Sequence, residues 1–138
     1  MQISTNFSVK ELVDPETVEA LGERARNVIL PFLPVVLEKL REYTGSITVN
    51  DYEWGGNFKY SGTRPYTYKK GAAFSSHRYG NTTDCKFKGI TPLEVQTYIL
   101  DNPDDYPHIV RMEDAAITKT WLHIETGFRS GDIKVFKP

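Results

Sequence analysis

The chain has 138 residues, a formal net charge of -1, 39% hydrophobic and 25% charged residues. That composition reads as one soluble globular domain spanning residues 1–138, able to bury a core without crosslinks, and it excludes a disordered or fibrous chain. The balanced charge gives no basic footprint for nucleic acid, the lone Cys85 excludes an intramolecular disulfide, and no apolar run is long enough to span a membrane.

The opening Met1-Gln2-Ile3-Ser4-Thr5-Asn6 has neither the basic nor the apolar stretch of a signal peptide, so synthesis in a cytoplasm is expected. Asp14 stands as an N-cap with Pro15 at the first helical position, and Val18, Leu21, Ala25 and Val28 recur at helical spacing. Pro31 and Pro34 predict a kink or a second helix start. Leu33, Val36, Leu37 and Leu40 then make one apolar face, and Gly45 is placed to end that helix. Ser46-Ile47-Thr48-Val49 predicts a strand. From Glu53 to Ala73 glycine, proline and aromatics dominate, which predicts a long shaped loop. Its rings Trp54, Phe58, Tyr60, Tyr66 and Tyr68 either wall a substrate cleft or form a small core under the loop.

Thr83 to Phe87 predicts a strand carrying Asp84, with Cys85 on the opposite face as a small buried hydrophobe. Thr91-Pro92-Leu93-Glu94 is a capping box that opens a helix running to about Asp101, and Pro103 ends it. His108 to Met112, Thr120 to Thr126 and Ile133 to Phe136 predict three short strands. Helices first and strands later, with one helix inserted, predict an α+β fold whose N-terminal helices pack on a small antiparallel sheet.

Chemistry concentrates in Ser75-Ser76-His77-Arg78-Tyr79-Gly80-Asn81-Thr82-Thr83-Asp84 and in Trp121-Leu122-His123. Two imidazoles and a carboxylate, His77, Asp84 and His123, are three potential ligands for one divalent metal. Three protein ligands and an open fourth position suit a catalytic zinc site better than a structural one. Trp121, His123 and Glu125 alternate and share a strand face. Glu125 is therefore either a water-activating base or a partner that orients His123. His108, after Pro107, reads as a surface histidine.

The pattern Ser-x-His-x-x-Gly-x-x-x-Asp followed by Trp-x-His resembles the zinc D-Ala-D-Ala carboxypeptidases and their peptidoglycan endopeptidase relatives, which share the Hedgehog/DD-peptidase fold. The resemblance covers nearly the whole chain. Trp54-Gly55-Gly56-Asn57-Phe58 and Gly62-Thr63-Arg64 look like the loop of the phage-type branch. The resemblance implies that His77, Asp84 and His123 hold Zn2+ and that Arg64 binds and polarises the substrate carbonyl. Many members place an acidic base three residues before the last histidine, where this chain has Thr120. One branch instead carries an acid two residues after it, which points to Glu125 as the base, with Glu113 and Asp114 as alternatives.

The activity so implied is zinc-dependent hydrolysis of a peptide bond in peptidoglycan stem peptides or cross-links, as a carboxypeptidase or an endopeptidase. A phage lysis enzyme or a virion-associated wall hydrolase is the expected setting. The rival expectation is a non-catalytic zinc-binding protein on the same fold, serving as a virion part or a wall-binding module.

Overall fold

The computed structural model describes residues 1–70 and 75–138. A short helix α1, Val9–Leu12, opens the chain, and the Glu11 carboxylate accepts from the Ser8 N–H at 2.7 Å, closing its first turn. Helix α2, Pro15–Leu21, starts as expected, with Asp14 Oδ1 accepting from Thr17 N–H at 2.8 Å. It stops earlier than the apolar spacing suggests. Gly22 takes φ 58°, and a 3-10 segment, Gly22–Val28, carries the chain onward. Of the four spaced residues only Ala25 is fully buried, while Val18, Leu21 and Val28 lie partly buried against the core.

Helix α3, Phe32–Thr44, begins just after Pro31 and ends at Gly45, and it buries Leu33, Val36, Leu37 and Leu40. Helix α4, Pro92–Asp101, has Thr91 as its N-cap and buries Val95, Gln96 and Ile99. Gln96 does more than pack. Its side-chain amide donates to Glu113 O at 2.8 Å and accepts from Ala115 N–H at 3.1 Å, fastening the helix to the end of a strand.

Among the described residues five strands form one sheet: β1 Ile47–Thr48, β2 Thr82–Phe87, β3 Ile109–Glu113, β4 Leu122–Thr126 and β5 Lys134–Phe136, in the order β1-β2-β4-β3-β5. The first three pairings are antiparallel, but β5 lies parallel to β3, so the sheet is mixed rather than wholly antiparallel. The cause is topological: β4 takes the central place between β2 and β3, and β5 returns to the free edge of β3. The architecture is α+β.

The two faces of the sheet differ sharply. Cys85, Leu122, Ile124 and Met112 are completely buried in the core beneath the helices. On the β2–β4 ladder Asp84 faces His123, and Thr82 faces Glu125, on the alternate positions. The period-two pleat thus puts Thr83, Cys85, Leu122 and Ile124 on the core side and the carboxylates and imidazole of the ladder on the other. No helix among the described residues is long and apolar enough to cross a membrane.

Candidate metal centre

His77 sits in a 3-10 turn, Ser76–Tyr79, and Ser75 Oγ accepts the His77 N–H at 3.4 Å. Gly80 closes the turn at φ 73°. A Cβ there would lie 1.8 Å from the Val28 carbonyl oxygen, so backbone contact as well as torsion demands glycine. The Gly80 carbonyl accepts from Leu30 N–H at 2.9 Å, which ties the turn to the start of α3. Asn81 and Thr126 then exchange three hydrogen bonds, fixing the end of β4 beside the turn.

The 61–64 segment runs between the N-terminal helices and the ligands. Its backbone carbonyl at Ser61 accepts from the Asp84 N–H at 2.7 Å, and Thr63 N–H donates to Leu12 O at 2.9 Å. Thr63 Oγ1 donates to the buried Asp14 carboxylate at 2.6 Å. Gly62 is pressed against the Leu12 carbonyl, 2.0 Å from where a Cβ would stand. The Gly62 carbonyl accepts from His77 Nδ1 at 2.8 Å. A carbonyl can only accept, so Nδ1 carries the proton and Nε2 is left as the lone-pair nitrogen.

That nitrogen lies 3.3 Å from Asp84 Oδ2, and His123 Nδ1 lies 2.9 Å from Asp84 Oδ1. One ligand atom from each of His77, Asp84 and His123 lies within 4.8 Å of the others, and all three residues are buried. The donor set, two imidazoles and one carboxylate on rigid backbone, fits a divalent metal ion and leaves room in its shell for a further ligand. Without metal, burial pushes the Asp84 carboxyl up, but hydrogen bonds and charge from His123 and His77 outweigh it and hold the group well below the usual range. Burial likewise pushes His123 down, yet its bonds to Asp84 and Glu125 win and raise it to about 9.

Glu125 reaches the other nitrogen of His123: Oε2 lies 3.0 Å from Nε2. Arg111, opposite Glu125 on β3, brings Nε to 3.1 Å of the same oxygen, close but misaligned for a hydrogen bond. The Arg111 guanidinium also lies 3.9 Å above the Phe136 ring. Glu125 therefore fixes which His123 nitrogen faces the metal position. Arg64 is held by its Nε–H to Tyr60 O at 3.0 Å and by the Tyr68 ring, and its Nη2 lies 3.7 Å from Asp84 Oδ2.

The expected residues thus converge: His77, Asp84 and His123 form the cluster, with Glu125 against His123 and Arg64 beside Asp84. Of the alternative acids, Glu113 lines the same depression as His123 and Glu125, and accepts from the Thr118 hydroxyl. Asp114 instead accepts from Ala116 N–H within a turn. Thr120 is exposed. His108 is outside the cluster and stacks on Phe32 at 4.1 Å. Cys85 is fully buried, and burial pushes its thiol up to about 12. The loop rings divide: Phe58, Tyr60 and Tyr68 line a depression at Asp84, Tyr66 lines another with Glu16 and Thr17, and Trp54 is exposed. Of the loop's predicted span, residues 71–73 lie outside the described residues.

Two contributors escaped the sequence reading. Arg111 had a signal, since it alternates with Glu113 on a strand. The Gly62 carbonyl had none, because a backbone acceptor carries no residue-type signature. No family model matches the chain, and no match appears among curated proteins or solved structures.

Proposed function

We propose that this chain is a zinc-dependent peptidase that hydrolyses a peptide bond in peptidoglycan stem peptides or cross-links. The observation that carries the reading is the buried His77–Asp84–His123 cluster with Arg64 beside it, at a site open to depressions on either side. The α+β architecture is compatible with the Hedgehog/DD-peptidase fold that the motif resemblance implies. Zinc held by the three residues would supply Lewis-acid polarisation of a carbonyl and activation of water.

The protein's own groups divide the remaining work. His77 is locked in one tautomer by Gly62, and His123 is oriented by Glu125. Arg64 retains donors toward the cleft and would stabilise negative charge developing on the substrate carbonyl oxygen. Glu125 holds His123 through Oε2, and its second oxygen would accept a proton from water and deliver it to the leaving amine. Phage lysis or a virion-associated wall hydrolase is the setting we assign to this activity.

A second reading has a specific observation behind it. Glu125 Oε2 already serves His123 and Arg111, and Thr120 provides no acid, which favours a non-catalytic zinc-binding protein of a virion or wall-binding kind. Incubating the zinc-loaded protein with purified stem peptides and cross-linked muropeptides separates the two. New amino termini, absent with His77→Ala, support the peptidase. Stoichiometric zinc with no cleavage of any peptide supports the second reading.

A further inference from the structure

The metal ligands lean on a segment that supplies no ligand itself. Two consecutive carbonyls of residues 61–64 face the cluster: Ser61 O accepts the Asp84 N–H at 2.7 Å, and Gly62 O accepts from His77 Nδ1 at 2.8 Å. On its other side the same segment is tied to the scaffold. Ser61 N–H donates to the side chain of buried Asn50 at 3.0 Å, and Thr63 N–H donates to Leu12 O at 2.9 Å. The segment is thus a strut, with its donors set in the N-terminal part of the fold and its acceptors aimed at two ligands.

Asp14 is the far end of this strut. As the N-cap of α2 it needs one acceptor, and Oδ1 serves Thr17 N–H at 2.8 Å. Ser or Asn caps a helix as well as Asp does. Here the carboxylate is completely buried, an unfavourable place for a charge unless hydrogen bonds surround it. Its second oxygen accepts from the Thr17 hydroxyl at 2.9 Å and from the Thr63 hydroxyl at 2.6 Å. Thr63 Oγ1 in turn accepts from the Asp14 N–H at 3.0 Å, so two residues 49 apart in sequence bind each other reciprocally. Capping explains the Oδ1 bond and leaves the pair with Thr63 unexplained.

We infer that Asp14 and Thr63 are positioning residues of the metal centre, locking the strut so that the Gly62 carbonyl holds His77 with Nε2 toward the metal position. The path runs from the Asp14 carboxylate through the Thr63 hydroxyl and the Gly62 carbonyl to His77 Nδ1, and it reaches the ligand from outside the cluster. Gly62 cannot shift toward the scaffold, because the Leu12 carbonyl lies 2.0 Å from where its Cβ would stand. A strut freed at Thr63 therefore moves on the ligand side and loosens His77 in orientation and tautomer. The inference rests on the metal centre and not on the peptidase reading.

The test is made on the full chain with zinc. Affinity is read by competition with a chelator of known strength, at a temperature where circular dichroism shows each metal-free protein folded. The His77 Nδ1–H resonance of the zinc-loaded protein is read by NMR. Thr63→Val removes the hydroxyl at nearly constant volume. Asp14→Ser keeps a cap for Thr17 N–H but is too short to reach Thr63 as well. Each should weaken zinc binding by about tenfold or more, the scale of lost outer-shell support, and broaden the Nδ1–H signal through exchange with water. Thr63→Ser, which restores the hydroxyl, should bind zinc as the wild type does. Val36→Ala, a core change in α3, should lose stability and keep both readouts. Unchanged affinity and a sharp signal in Thr63→Val and Asp14→Ser overturn the inference, as does an equal loss in Val36→Ala or no rescue by Thr63→Ser. Should Thr63→Val fail to fold, Asp14→Ser decides alone. Absence of zinc from the wild type overturns the metal centre and the inference together. Zinc bound without cleavage of any peptide overturns the peptidase reading only.

Discussion

Asp84 and His123 stand directly opposite one another across the β2–β4 ladder, with His123 Nδ1 2.9 Å from Asp84 Oδ1. Backbone hydrogen bonding fixes this pair, so the site is built before any metal arrives. Asp84→Ala, His77→Ala and His123→Ala should each lower bound zinc from one per chain to none, read by elemental analysis. A chelator should lower the melting temperature of the wild type and leave the three variants unmoved. Free zinc at about a thousand times its dissociation constant would contribute about 4 kcal/mol.

Glu125→Gln should keep zinc, because Glu125 touches the far nitrogen of His123 and the amide oxygen can still accept from it. Zinc affinity should fall by no more than about a hundredfold, the scale of lost outer-shell support. Turnover should fall by about a hundredfold or more if its second oxygen is the base. Glu113→Gln, assayed beside it, should have the smaller effect on turnover. A reversed order assigns the proton transfer to Glu113.

Gly80→Ala should be among the most damaging single-methyl changes in the chain. The added carbon meets the Val28 carbonyl at 1.8 Å and forces an L side chain to a φ of 73°. The expected loss is about 2–4 kcal/mol, from strain and from the backbone shift needed to clear the oxygen. Chemical denaturation measures it. Zinc affinity should weaken in the same variant, since the turn carrying His77 must move.

Tyr106 gives the fold an alkaline limit. Burial, then the nearby charges of Tyr98, Asp105, Glu42 and Tyr43, raise its phenol from 10.0 to about 12. A raised acid binds its proton more tightly when folded, so its contribution is complete below pH 10 and is lost as pH rises toward 12. Urea midpoints should fall across that window. Tyr106→Phe should flatten the fall while leaving its shape near neutral pH unchanged.

The sequence was most legible where local rules and burial agree. Asp14–Pro15, Thr91–Glu94 and Gly45 marked helix ends correctly, and Leu33, Val36, Leu37 and Leu40 are all buried. The residue types of the metal cluster were readable because His77, Asp84 and His123 are scarce and specific donors. Two features were not legible. The end of α2 at Gly22 depends on a torsion that competes with continuing apolar spacing. The parallel β5 depends on which sheet edge is free, a property of the assembled sheet. The Arg111–Glu125–His123 chain falls between these cases: its residue types are visible, but its register, with a bulge between Ile109 and Arg111, is not.

The ladder that joins Asp84 to His123 spans 39 residues of sequence. Closing that separation is a late, slow event in folding, because chain entropy is lost before the pairing rewards it. A metal would have no assembled site to enter until β4 has docked. Bound there, it would act as a latch on a finished molecule rather than as a nucleus for one. Its signature is kinetic: bound metal should lengthen the lifetime of the native state, while the refolding rate stays nearly the same with or without it.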